Sequence, residues 1–404
     1  MTPDAPTGSR RVTVVAPRDP IPVNNGLTER VYQLATHLGR HHEVRLLHPY
    51  EPERAATAEG RVPDEQPFDR VALRSRAVGT LEWLLPDYSP LKGVYQFHPW
   101  LYPALRDHLT DRRPDAVVVE FPYLVPVVRA AARGLNATLV LSEHNVEYRF
   151  AERVGIPLWR LLAAFETSAC RLVDAVVTVS DEDRRTLAAR VDGANVEFLV
   201  APNGVDVDRY APAAAARAGD IADRYDLGAP TLVYHGNLAN AHNSEAVREL
   251  LDEVFPAVRE SHPDATLFLV GGNPPETDRP GVVTTGIVDD LPAHLAAADL
   301  AVAPIRSGSG TNLKILEYLA TGLPVVTTPV GAEGFPLVDG THARIVDGEE
   351  SVAEATASLL GDDERRERFA REGRSLATDE FDWSETLRPY DRLLTDAPVP
   401  TARH

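Results

Sequence analysis

Short apolar runs alternate with amphipathic stretches along almost the whole chain. This is the pattern of stacked strand–helix–strand units whose parallel strands are covered on both faces. In the first half the runs predict strands over Val12–Ala16, Glu43–Leu47, Ala116–Glu120, Thr138–Ser142 and Ala175–Ser180. Helices fit between them over Leu27–Leu38, Tyr102–Thr110 and Leu158–Leu172, and the polar stretch 51–69 reads as a surface loop. A second series follows, with strands over Thr231–His235, Thr266–Val270, Val282–Thr284, Leu300–Ala303 and Val325–Thr327. Residues 207–230, rich in Ala, Asp and Arg, read as the connection between the two halves. The tail carries helical patterns over Ser351–Leu360, Asp363–Ala377 and Trp383–Leu394, and no internal repeat is visible.

At 404 residues the chain is long enough for two α/β domains with full cores. Its net charge of −19 argues against a nucleic-acid partner, whose phosphates it would repel. Lys92 and Lys314 are the only lysines among 41 basic residues, and an acidic, lysine-poor composition suits a halophilic source or a GC-rich genome, the first being favoured. The one cysteine, Cys170, excludes an internal disulfide and fits a reducing compartment. No signal peptide and no long apolar span is visible, so the expected location is cytoplasmic.

The densest chemistry lies in Pro304–Gly334, PIRSGSGTNLKILEYLATGLPVVTTPVGAEG. A short apolar strand opens into a loop holding Arg306, Ser309, Gly310, Thr311 and Asn312, and the loop feeds a helix with Lys314 in its first turn. Free amides and the helix dipole make such a terminus an anion site, fit for a diphosphate. Glu317, one turn on, is placed to accept hydrogen bonds from a sugar hydroxyl. Together these residues suggest a nucleotide-sugar site.

This segment resembles the signature of the retaining GT-B glycosyltransferases of family 4. There two glutamates lie eight positions apart, the second opening a stretch similar to LEYLATGLPVV; here the second is Glu317 and the first position holds Ser309. The resemblance implies an α/β GT-B fold, two Rossmann-like domains facing across a cleft. The acceptor-side domain would span 1–201, joined by a crossover helix at 381–404, and the donor domain 202–380. PNGVD, with Asn203, marks the family's interdomain boundary.

Other constellations fall into place beside it. Asn25 and Gly26 follow the first strand, where the family brings a Gly-Gly pair to the donor. His144, at the carboxyl end of a predicted strand, corresponds to the family histidine beside the reacting sugar. Gly236 ends the first strand of the second half, and Asn237, His242 and Asn243 follow it. Relatives carry an arginine and a lysine at the positions of Asn237 and His242, so Lys314 and Arg306 are the substitutes for the missing cations. Residues 81–102 concentrate aromatic side chains and suggest an acceptor or membrane-contact surface.

The resemblance implies transfer of a sugar from a nucleoside-diphosphate donor to a glycan or lipid-linked acceptor hydroxyl, with retention of configuration. His144, Lys314 and Glu317 would carry the chemistry, without metal or cofactor, at most peripherally at the inner face of a membrane. A non-catalytic nucleotide-sugar-binding homologue and a nucleotide-sugar epimerase remain as alternatives.

Overall fold

The computed structural model describes residues 9–50, 60–64, 66–73, 99–153, 155–191, 193–210, 216–307, 311–348 and 350–396. Ser309, Gly310 and nearly all of the aromatic stretch 81–102 lie outside them. Two compact units divide the chain: Met1–Pro202 with Leu387–His404, and Asn203–Thr386.

The first unit is built on strands β1 (Arg11–Val15), β2 (Glu43–Pro49), β3 (Asp69–Leu73), β4 (Ala116–Glu120), β5 (Thr138–Ser142), β6 (Ala175–Thr178) and β7 (Glu197–Val200). They form one parallel sheet in the order β3-β2-β1-β4-β5-β6-β7. The second carries β8 (Thr231–His235), β9 (Thr266–Val270), β10 (Val282–Thr284), β11 (Leu300–Ala303), β12 (Val325–Thr327) and β13 (Arg344–Ile345). Its order, β10-β9-β8-β11-β12-β13, repeats the same winding, again all parallel. The central strands β4, β5, β8 and β9 are buried along their whole length, which is why they read as continuous apolar runs.

In both sheets the strand order reverses at one point, between β1 and β4 and between β8 and β11. Connections leaving adjacent strands in opposite directions open a crevice at the carboxyl ends there, the place where doubly wound sheets bind ligands. Asn25, Glu120, Gly236 and the loop after β11 all sit at these two points.

The structure adds three strands to those predicted: β3 partly within the expected surface loop, β7, and the two-residue β13. Each is half exposed or short, so its apolar signal is weak. The connecting segment contains a helix, Ala218–Tyr225. The predicted helix Trp383–Leu394 is two helices, Trp383–Thr386 and Arg388–Asp396. The chain rejoins the first unit at Leu387, not at Phe381. Phe381 and Trp383 stay with the second unit because Val205 N–H donates to Phe381 O (2.7 Å) and Trp383 N–H to Val205 O (3.3 Å). The last helix is then held in the first unit by Tyr390 Oη, which donates to Ser142 Oγ (2.8 Å), and by Asp391 against His37 Nε2 (2.9 Å).

Candidate active site

In the second unit, the end of β8 and the start of the helix Leu313–Thr321 build one polar cradle. Lys314 Nζ donates to Tyr234 Oη (2.8 Å) and Asn243 Oδ1 (2.6 Å) and lies 4.3 Å from the centre of the Tyr234 ring. Asn243 is itself fixed: its Oδ1 accepts from Tyr234 Oη (2.7 Å) and its Nδ2 donates to Asn237 O (2.7 Å). These direct partners of the ammonium are all neutral. Burial therefore outweighs the attraction of Glu317, and the Lys314 pKa is pushed down to about 7. His242 is also held below its ordinary value, by burial and then by the charge of Lys314.

Gly236 closes the cradle; a Cβ there would lie 3.6 Å from Lys314 Nζ. Its φ of +141° favours glycine, and Gly271, at φ +131°, packs so tightly that a Cβ would lie 2.0 Å from Gly236 O. Gly271→Ala should therefore cost about 2–5 kcal/mol, the combined scale of backbone strain and overpacking. Chemical denaturation should show that loss. Wild-type stability in the variant would mean that the β8 and β9 ends yield readily.

Glu317 lies one turn further along the same helix face. Its Oε1 accepts from Tyr210 Oη (2.8 Å), and its Oε2 lies 3.1 Å from His235 Nε2. Burial alone would raise its pKa, but His235, Tyr210 and Arg209 override that and hold it down at about 2. Glu317 is thus a fixed carboxylate acceptor at any working pH. His235 N–H donates to Tyr318 Oη (3.0 Å), which ties the strand end to the helix.

Asn312 is the helix N-cap, but its side chain donates outward to Val330 O (3.2 Å) instead of capping the helix. Thr311 Oγ1 accepts from Asn203 Nδ2, which brings PNGVD to the loop after β11 within this unit. Arg306 is placed differently from expectation. Its guanidinium grips Glu249 with both arms (3.0 and 2.7 Å), so its charge is already compensated. Of the two substitute cations, Lys314 is the one that faces the cradle.

In the first unit, Asn25 caps the helix Gly26–Gly39. Its Oδ1 accepts from Thr28 N–H (3.0 Å), and Thr28 Oγ1 accepts from Asn25 N–H (3.0 Å) in a reciprocal capping box. The Asn25 side chain therefore serves the turn itself. His144 Nε2 lies 2.6 Å from Glu120 Oε2 at the end of β4, and the Phe121 ring stacks on the imidazole at 4.4 Å. Burial lowers the His144 pKa even against Glu120. Buried Arg30 donates to Ala201 O (2.8 Å) and Pro202 O (3.2 Å), fixing the chain where the first unit ends.

The sequence motifs include Tyr234 and His235 without giving them a role, and pass over Tyr210, Glu120 and Phe121. The signal that points to three of them is a polar or charged side chain at the carboxyl end of an apolar strand: Glu120 in AVVVE and Tyr234-His235 in TLVYH.

Two Rossmann-like sheets, one with a lysine cradle at a loop–helix junction, are the architecture expected of a GT-B glycosyltransferase. The pattern described as Glycosyl transferases group 1 matches residues 229–362, and Glycosyltransferase Family 4 matches residues 24–209. The chain belongs to this glycosyltransferase family and is an enzyme of that class. It is 32% identical over 280 residues to the GDP-mannose-dependent alpha-(1-6)-phosphatidylinositol monomannoside mannosyltransferase of Mycolicibacterium smegmatis, covering 63% of this chain and 68% of that protein. It is 26% identical over 389 residues to the phosphatidyl-myo-inositol mannosyltransferase of Mycobacterium leprae, covering 92% and 94%. Sucrose-phosphate synthase from Thermosynechococcus elongatus shares the fold, with a TM-score of 0.73 at 17% identity over 96% of this chain and 98% of that one. Among the described residues no helix is long and apolar enough to cross a membrane.

Proposed function

We propose that this enzyme transfers mannose from GDP-mannose to a hydroxyl of a lipid-linked polyol acceptor, with retention of configuration. The observation that carries the donor half is the Lys314 cradle, a half-buried amine held by neutral direct partners and suited to an anion. Lys314 and the amides at the start of its helix would neutralise the leaving diphosphate, and Glu317 would accept hydrogen bonds from the nucleotide ribose. The catalytic role at the reacting sugar falls to His144. The leaving phosphate would help deprotonate the acceptor, so no protein general base is assigned. The choice of guanosine diphosphate, mannose and a phosphoinositide acceptor is supported by the names of the mannosyltransferase relatives.

The test is GDP release from GDP-mannose in high salt with EDTA, with and without phosphatidylinositol vesicles, beside UDP-glucose and a Glu317→Gln control. Release stimulated by the vesicles and at least tenfold weaker in the variant is the expected result. Release that needs an added divalent cation would overturn the metal-free account. Thermal stabilisation by donor with no release would point to a non-catalytic binder, and recovery of an epimerised sugar nucleotide to an epimerase.

A further inference from the structure

We infer that Glu120 and Phe121 are positioning residues that clamp the imidazole of His144 by its edge and by one face. The inference deepens the catalytic role proposed for His144 and rests on it.

The clamp is built from the turn that leaves β4. Register pairs Glu120 with Ser142 across β4 and β5, and Phe121 N–H extends the pairing by donating to Ser142 O (3.1 Å). His144 therefore leaves β5 two residues beyond the same level and meets the β4 turn side by side. Glu120 is fully buried; Oε2 is 2.6 Å from His144 Nε2, and Oε1 has no partner among the described residues. A buried carboxylate directed so completely at one ring nitrogen accepts Nε2–H, leaving Nδ1 as the nitrogen with the free lone pair.

Phe121 supplies the face. Its ring lies 4.4 Å from the imidazole with an interplanar angle of 16°, and its backbone stands at φ +78°, ψ +142°. That is a conformation non-glycine residues rarely adopt. Such backbone strain persists where the surroundings over-determine it, and it clusters at functional sites. Here the strained turn is what lays the ring over the histidine while keeping Glu120 at its edge. Neither side-chain contact is needed to close the sheet, whose β4–β5 pairing runs through backbone groups.

A double-mutant cycle reads the clamp directly. Glu120→Gln preserves shape and should lower kcat for GDP release from GDP-mannose about 10- to 100-fold, the scale found for carboxylates that orient metal-ligating histidines. The KM for donor should move less than twofold. In a His144→Ala background Glu120→Gln should add nothing further, because its effect passes through the imidazole. Phe121→Leu, which keeps apolar bulk but removes the stack, should lower kcat about two- to tenfold. Equal losses from Glu120→Gln in both backgrounds would overturn the inference and make Glu120 a structural residue. Wild-type turnover in His144→Ala alone would instead overturn the role of the histidine.

A second measurement does not depend on turnover. Nitrogen-15 spectra of the ring nitrogens, assigned by loss in His144→Ala, should show the Nε2–H tautomer with a downfield proton in the wild type. They should show loss of that proton in Glu120→Gln. An unchanged His144 signal in Glu120→Gln would sink the clamp even if no donor were processed.

Discussion

Replacing Lys314 by methionine should weaken donor binding about 10- to 100-fold while making the free protein more stable. The two effects have one origin. The amine is held by Tyr234 and Asn243, neither of which carries compensating charge, and burial pushes its pKa down to about 7 from the ordinary 10.5. A charge-assisted hydrogen bond to a diphosphate oxygen contributes about 1.5–3 kcal/mol, and its loss gives the expected drop in affinity.

The sign of the stability effect follows from proton linkage. The folded-state pKa lies below the unfolded one, so between about pH 7 and 10.5 the unfolded chain binds more protons and stability rises with pH. Below pH 7 the whole burden of a buried ammonium is present. Lys314→Met should therefore raise Tm most at pH 6 and least near pH 10. Donor affinity of the wild type should fall by up to tenfold per unit as pH rises above 7, because a neutral amine must first take up a proton. Scanning fluorimetry at both pH values, with calorimetric titration of GDP, checks both. Equal Tm shifts at pH 6 and pH 10 would show that Lys314 is not held near neutrality.

Replacing His144 by alanine should lower kcat about 100- to 1,000-fold with little change in the KM for donor. That is the scale for losing one aligned polar group at a reacting centre. The selectivity follows from location: the Lys314 cradle proposed for the donor is made wholly by second-unit residues, whereas His144 is anchored in the first unit by Glu120 and Phe121. Because burial lowers the His144 pKa below the usual imidazole value, any acid limb it contributes should lie on the acid side of the ordinary histidine range. Steady-state kinetics over a pH series would show both. A large rise in donor KM with unchanged kcat would move His144 from catalysis to binding.

Much of the fold is legible in the amino-acid sequence. The central strands stand out because a strand buried on both faces has no polar alternation to hide it. Edge strands such as β7 (EFLV) and the two-residue β13 do not, since half their surface meets water. The glycines at 236 and 271 mark loops where backbone must approach backbone, and a lysine in a chain with only two stands out at the loop–helix junction after β11. The partners that surround those residues are not legible in the same way. Tyr210 and Glu317 are 107 positions apart, and Arg306 finds Glu249 across 57. No local spacing encodes such pairs.

The amino-acid sequence by itself determined the two-domain α/β architecture, the family, and the loop–helix junction assigned to the donor. These are properties of local periodicity, turn chemistry and helix termini, which act over a few residues. Only the tertiary structure decided the electrostatic state of the site: a lysine brought near neutrality, a glutamate held ionised, a histidine gripped by its neighbours, and an arginine withdrawn into an ion pair. Each depends on how far burial strips water from a group and which distant partner replaces that water, and both are set only when the sheets and helices have packed.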